Sequence, residues 1–265
     1  MAPTAASTLQ ILPKTINMTT VKRFEFFNDL KVIYHLATKG NCGNSHAERL
    51  ENFYSGQADL YDSFRNRLLI AREQLYAQID VPENGIWIEM GGGTGSNLEF
   101  LGDKIHKLKK VYIVDLCPSL LSIAQNRIAE KGWKNVQTVE QDVLNFKPNE
   151  CIADVITFSY SLTMIPNWFA AIDNTHSILK KDGKLAIVDF FVSRKHVANI
   201  PNNHSVFTRN FWPFWFSRDG VYLSRDHLPY LLQKFKALTL EEKKSIVPYM
   251  LRLKVPNYIF IGQKR

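Results

Sequence analysis

Between Thr20 and Ala37 apolar residues recur at three- and four-residue intervals, so that Phe24, Phe27, Leu30, Ile33 and Leu36 share one side of a helical wheel. The spacing predicts an amphipathic helix whose apolar face either packs on the domain or lies in a membrane interface. "TKGNCGNS" then breaks the period with two glycines and two asparagines, as a linker would. A second helical stretch covers residues 46–79, and beyond it the pattern turns to short apolar runs. "GIWIEM", "KVYIVDL", "NVQTVEQDV", "ADVITFSY" and "GKLAIVDFF" read as strands, with "GSNLEFLGDKI", "SLLSIAQNRIAEKG" and "WFAAIDNTHSILKKDG" between them as helices. Such alternation implies an α/β fold, a parallel sheet covered by helices on both faces. Residues 207–235, rich in aromatics and arginine, interrupt it, and "ALTLEEKKSIV" and "PNYIFIGQKR" close the chain as two more strands. The predicted organisation is a tail and amphipathic helix at 1–45, then one domain at 46–265 with cap helices at 46–79 and an aromatic insertion at about 195–235.

Composition adds bounds to this outline. The 265 residues are 45% hydrophobic, enough for one large domain with a small attachment. A formal charge of +8 favours anionic partners such as phospholipid surfaces or nucleic acid, but the basic residues are scattered, as on many solvated surfaces. Cys42, Cys117 and Cys151 share no CxxC or CxxH spacing, and His176, His196, His204 and His227 have no ligand spacing, so no metal is expected and a reducing compartment fits. No apolar run reaches the roughly 18 residues of a membrane span. The N-terminal twenty residues lack the apolar core of a secretory signal; their Ser, Thr and Ala content leaves a transit peptide open beside a loose tail.

Candidate chemistry centres on "EMGGGTGSNLEF", which places four of the 13 glycines at residues 91–95, directly after a predicted strand. Glycines there let the backbone turn tightly and approach a ligand, next to a helix N-terminus. A P-loop is excluded, because no Gly-Lys-Ser/Thr follows, and Gly91, Gly93 and Ser96 only nearly match a dinucleotide fingerprint. The pattern Glu89-x-Gly91-x-Gly93-x-Gly95 resembles the first motif of class I S-adenosylmethionine-dependent methyltransferases, and the likeness extends over about residues 80–192. The resemblance implies a Rossmann-like sheet of seven strands with an N-terminal helical cap, S-adenosyl-L-methionine as cofactor, and a glycine turn around its methionine and ribose parts. Asp115, twenty residues after Gly95, ends the second strand, where a carboxylate can accept from both ribose hydroxyls; a simple helix cap is the alternative. Leu116 is grouped with it in the cofactor set. Asp142 and Val143 resemble the family's adenine site, with a turn role for Asp142 as the plainer reading. Ser159, Tyr160 and Ser161 follow the fourth strand, where the family places groups over the cofactor, and Asp154 starts that strand in a structural role.

The cap sequence narrows the resemblance. His46-Ala47-Glu48-Arg49-Leu50, Phe53-Tyr54 and Tyr61-Asp62-x-Phe64-Arg65 resemble the N-methyltransferase component of betaine lipid synthesis. That likeness implies three successive methylations of the amino group of diacylglycerylhomoserine, a lipid substrate at a membrane surface, and a 3-amino-3-carboxypropyl transferase partner. A cytoplasmic, membrane-peripheral location follows, the endoplasmic reticulum being one candidate. In this reading Tyr61 closes over the cofactor, and Tyr54, Tyr160, Trp212 and Trp215 offer aromatic faces to the cationic product. The aromatic cluster at 211–216 equally suits packing or membrane contact. Arg65, Arg209 and Arg218 are candidates for the homoserine carboxylate, and His46 for the amine proton. Rival readings are methylation of another amine headgroup or of a quinone ring carbon, and a non-catalytic cofactor-binding partner of a lipid-synthesis complex. A nucleic-acid methyltransferase ranks last, because Ser159-Tyr160-Ser161-Leu162 stands where an Asn-Pro-Pro-Tyr type site would be.

Overall fold

The computed structural model describes residues 45–54, 68–196, 203–218, 220–246 and 253–265, with backbone only at 53 and 54. The expected helix at 20–37, Tyr61, Arg65 and the side chain of Tyr54 lie outside the described residues. Seven strands form one sheet: β1 Ile86–Met90, β2 Lys110–Asp115, β3 Val136–Glu140, β4 Ala153–Ser159, β5 Leu179–Phe190, β6 Phe235–Ile246 and β7 Lys254–Lys264. Their spatial order is β3-β2-β1-β4-β5-β7-β6, parallel from β3 to β5, with β7 antiparallel to both of its neighbours. Six α-helices accompany it among the described residues: α1 His46–Tyr54, α2 Arg72–Ala77, α3 Pro118–Lys131, α4 Trp168–Ile178, α5 Val206–Ser217 and α6 His227–Lys234.

All five residues of β1 are buried, as expected of a strand covered on both faces. Ile86, Ile88 and Met90 join one apolar layer with Tyr112 and Phe158, while Trp87 joins the other with Ile113 and Leu98. Glu89 shares the Trp87 side by the two-residue period.

The local sequence explains the boundaries. α3 takes Pro118 in its first turn and ends on Gly132 at φ 65°, so the missing N–H and the left-handed turn fall where a helix tolerates them. "SNLEFLGDKIHK" forms a 3₁₀ run, Ser96–Lys107, broken at Gly102, where an α-helix was expected. The helix expected over 168–183 stops at Ile178, and β5 starts at Leu179, four residues early. An irregularity separates the Ala153–Leu179 and Val155–Lys184 pairs, and Asp182 takes φ 63° within it, a conformation Asp tolerates better than most residues. The aromatic region at 195–235 resolves into α5 and α6 between β5 and β6.

Asp154 Oδ2 accepts from the Ile86 N–H at 2.8 Å and pairs with Lys180, tying the start of β4 to that of β1. At the other end of the sheet Asp189, fully buried on β5, accepts from the Thr163 N–H at 3.0 Å, the Thr163 hydroxyl at 2.8 Å and the Phe190 N–H at 2.7 Å. Burial pushes its carboxyl up to about 7 against the pull of those donors. A carboxyl raised on folding favours the protonated folded state. Its contribution to stability is therefore complete below about pH 4 and is lost as the pH rises through about 7. Denaturation midpoints at about pH 5 and pH 8 are expected to shift in favour of Asp189→Asn at the higher pH.

Candidate active site

The chain runs outward from β1 to β3 and returns to β4 on the other side of β1, so the carboxyl ends of β1 and β4 open a crevice where their connections part. The glycine turn fills its floor. Gly91 and Gly92 donate to the Val114 carbonyl at 2.8 and 3.1 Å, holding the turn against the end of β2. Gly91 sits at φ 64°, and a Cβ there would lie 2.5 Å from Ser161 Cβ. Gly95 sits at φ 68° with Ile113 Cδ1 only 2.8 Å from where its Cβ would stand. Gly91 thus lets the turn pack closely on Ser161 at the end of β4, and Gly95 lets it pack closely on β2.

Asp115 is set by this turn. One carboxylate oxygen accepts from the Gly93 N–H at 2.8 Å and the other from the Cys117 N–H at 3.0 Å. Asp115 lines the cleft, and a carboxylate carries about four acceptor sites. Asp142 also lines it, while its Oδ1 accepts from the Leu144 N–H at 2.9 Å. The turn role and the position at the cleft therefore coexist. Val143 and Leu116 line the same space, with Leu120, Leu144, Met164 and Ile165 making much of the remaining wall apolar.

The far wall comes from α1, which contributes His46 and Leu50. Burial lowers the His46 pKa, the Arg49 charge lowers it further, and Asp142 opposes them, so the imidazole is largely neutral at pH 7. Glu51 latches α1 in place. Its carboxylate accepts from the Ser119 hydroxyl, from the Ser119 N–H at 3.3 Å and from Cys117 Sγ at 3.0 Å. A residue of another element thereby caps the first turn of α3. Partial burial works to raise the Glu51 pKa, but the Ser119 and Cys117 donors outweigh it and leave it lowered. Burial, then the Glu51 bond, pushes the Cys117 thiol well up, so it stays protonated as a donor. Glu51→Gln is expected to weaken cofactor affinity roughly three- to tenfold and to speed amide exchange in α1, read by calorimetry and hydrogen exchange.

Several candidates lie elsewhere. Glu89 is fully buried behind the turn, where it accepts from the Tyr76 hydroxyl at 2.7 Å and the Asn97 amide at 2.6 Å. Asn97 in turn accepts from Arg72 at 2.9 Å. Glu89 thus braces the 3₁₀ run and α2 rather than lining the cleft, and Arg72, Asn97 and Tyr76 gave no sign in the sequence that they would join it. Ser159 is buried one residue short of the cleft, and its neighbour Ser161 lines it instead, donating to the Met90 carbonyl at 2.7 Å.

Tyr160 contributes to the lining from φ 54°, yet its hydroxyl points into the protein, donating to the Ile70 carbonyl at 2.8 Å and accepting from Asn257 at 2.8 Å. Burial raises its pKa, so the phenol is an anchor rather than an acid or base. Arg209, Trp212 and Trp215 all ride on α5 and do not line the cleft: the first two are buried in the helix packing, and Trp215 faces outward. Among the described residues no group of three or more His, Cys, Asp or Glu is placed to share a metal ion.

Residues 61–235 match the model of a family described as a methyltransferase domain. The chain is 22% identical over 149 residues to the chloroplastic 2-phytyl-1,4-beta-naphthoquinone methyltransferase of Arabidopsis thaliana, covering 53% of this chain and 57% of that protein. It spans about half the length of the curated relatives it matches. A SAM-dependent methyltransferase from Aquifex aeolicus superposes with a TM-score of 0.52 at 16% identity, covering 78% of this chain and 97% of its own. The N-methyltransferase NodS from Bradyrhizobium japonicum WM9 gives a TM-score of 0.52 at 15% identity, covering 77% and 97%. Both structures share the fold described above.

Proposed function

This chain belongs to the methyltransferase-domain family, and from that premise we propose that it transfers methyl groups from S-adenosylmethionine to the amine of a lipid-linked homoserine, ending in a trimethylated betaine headgroup. The observation that carries the acceptor is the position of α1. The segment His46–Tyr54, whose sequence resembles the N-methyltransferase of betaine lipid synthesis, builds the cleft wall beside the glycine turn.

The residues fit the cofactor. Gly91 and Gly93 bring bare backbone to the cleft, Asp115 presents a carboxylate to it at the end of β2, and Asp142 with Val143 stands by an apolar slot for a flat ring. When bound, S-adenosylmethionine supplies a methyl group already activated on a cationic sulfur. The chain's task is then mostly positioning and exclusion of water. Leu50, Leu120 and Met164 exclude water, and an unprotonated ring nitrogen of His46 takes the proton the amine must shed between successive transfers. Tyr61 over the cofactor, Tyr54 toward the cation and Arg65 toward the carboxylate complete this reading. The homoserine group itself would be installed by a separate 3-amino-3-carboxypropyl transferase, and the enzyme would work at a membrane surface. No helix among the described residues is long and apolar enough to cross a membrane.

A second reading, methylation of a quinone ring carbon, is favoured by the likeness to the Arabidopsis naphthoquinone methyltransferase and to the ubiquinone/menaquinone biosynthesis C-methyltransferase UbiE of Coxiella burnetii. Mass spectrometry of lipid extracts separates the two. A host supplied with diacylglycerylhomoserine and expressing this chain should show masses raised by one, two and three methyl groups, reduced with His46→Ala. Methylated quinone with unchanged homoserine lipid would sink the first reading and favour the second.

A further inference from the structure

The outer face of α5 carries large apolar side chains in solvent. The helix buries Arg209, Trp212 and Phe216, and turns Val206, Phe207, Phe214 and Trp215 to solvent at 65, 61, 62 and 38% exposure. Phe207, Phe211, Phe214, Trp215 and Arg218 follow i, i+4, i+7, i+8, i+11 spacing, one continuous stripe. Phe211 joins it by stacking on Phe207 at 4.8 Å and on Trp215 at 6.0 Å, and the Arg218 guanidinium lies 5.1 Å over Phe214. Large contiguous aromatic surface on a folded protein marks something that covers it.

Charge identifies the cover. Residues 206–218 contain two arginines and no acid. At the N-terminal end of the helix a cavity is lined by His204, Ser205, Thr208, Lys244 and Lys254, the lysines coming from the adjoining ends of β6 and β7. Among the described residues neither lysine is paired with a carboxylate. Burial, then the charges of Lys244 and Arg209, depress the His204 pKa to about 4. An aromatic stripe that carries Arg218 and has the Lys244–Lys254 cavity at the N-terminal end of its helix complements an anionic bilayer surface, where Trp and Phe settle at the headgroup boundary and lysines meet phosphates.

We propose that the outer face of α5 docks this protein on an anionic phospholipid bilayer, with its aromatic stripe in the headgroup boundary and the Lys244–Lys254 cavity on a lipid phosphate. The inner face of the same helix reaches the active site. Phe216 stacks on Phe190 at 5.1 Å, Phe190 packs on Tyr160 at 4.7 Å, and the Tyr222 N–H donates to the Thr163 carbonyl at 2.8 Å beside the cleft residue Met164. Docking therefore holds the cleft next to the surface. What it delivers there rests on the lipid reading above, whereas the docking itself does not.

Flotation of the full chain with phosphatidylcholine vesicles, and with vesicles also containing phosphatidylserine, tests this. The unmodified chain should float with the anionic vesicles. Phe207→Ser with Phe214→Ser should cut partitioning more than tenfold, and Lys244→Ala with Lys254→Ala should remove the anionic preference at roughly fivefold per lysine. These side chains are exposed or line a cavity, and unchanged melting and cofactor binding would confirm that each variant folds. Unaltered flotation of the phenylalanine variant, no flotation of the parent, or a solution dimer that the phenylalanine changes dissociate would each overturn the proposal. A chain that docks yet leaves homoserine lipid unmethylated would refute the assigned substrate and leave the docking face standing.

Discussion

Asp115→Ala is expected to lower S-adenosylmethionine affinity by roughly a hundredfold or more. Two effects combine. The carboxylate's bonds to the ligand are lost, each charge-assisted bond being worth about 1.5–3 kcal/mol. The Gly93 and Cys117 N–H groups also lose their acceptors, so the glycine turn and the start of α3 loosen together. Asp115→Asn should fall between the two, because one acceptor oxygen survives. Titration calorimetry, with circular dichroism to confirm folding, checks the order. Equal affinity in the alanine variant would remove Asp115 from the cofactor site.

Gly91→Ala is expected to produce the largest combined loss, about 2–4 kcal/mol of stability together with the cofactor site. The φ of 64° costs an alanine about 1–2 kcal/mol, and a Cβ 2.5 Å from that of Ser161 cannot be accommodated without moving β1 or β4. Moving Ser161 also strains its bond to the Met90 carbonyl. The two causes are separable. Adding Ser161→Gly should return the steric part and leave the conformational part, so the pair is non-additive. Thermal melting of the single and double variants measures it: a double variant no more stable than Gly91→Ala would show that the Ser161 contact is not what the glycine avoids.

What the sequence announced and what it concealed follow one physical rule. Asp115 was legible because strand period, strand end and distance from the glycines are properties of one continuous segment, and the site lies where those segments end. Glu89 was legible as part of a motif but not in orientation. Its side chain answers to Tyr76, Asn97 and Arg72, whose approach depends on how α2 and the 3₁₀ run pack. Trp212 and Arg209 suggested cation and carboxylate contacts by residue type alone. Which side of α5 faces inward was decided by packing against Phe190, and that sent them away from the cleft. Glu51 had no signal, because a glutamate in the middle of a polar helix looks the same whether it meets water or another helix's first turn. The overlong helix expected through residue 183 failed on five residues, "LKKDG", whose bulge is compatible with either element until β4 supplies the pairing partner.

The insertion of β7 between β5 and β6 has a consequence for how the protein is made. Residues 254–264 follow every other strand in the chain, yet β5 and β6 both bond to them and not to each other. On the ribosome, the parallel half of the sheet can assemble with β5 as a bare hydrogen-bonding edge, and β6 has nowhere to attach. Closure waits for the last eleven-residue strand to emerge. During that interval an exposed strand of Leu185, Ile187 and Val188 invites pairing with the wrong chain, which makes this segment the point where a chaperone would matter most.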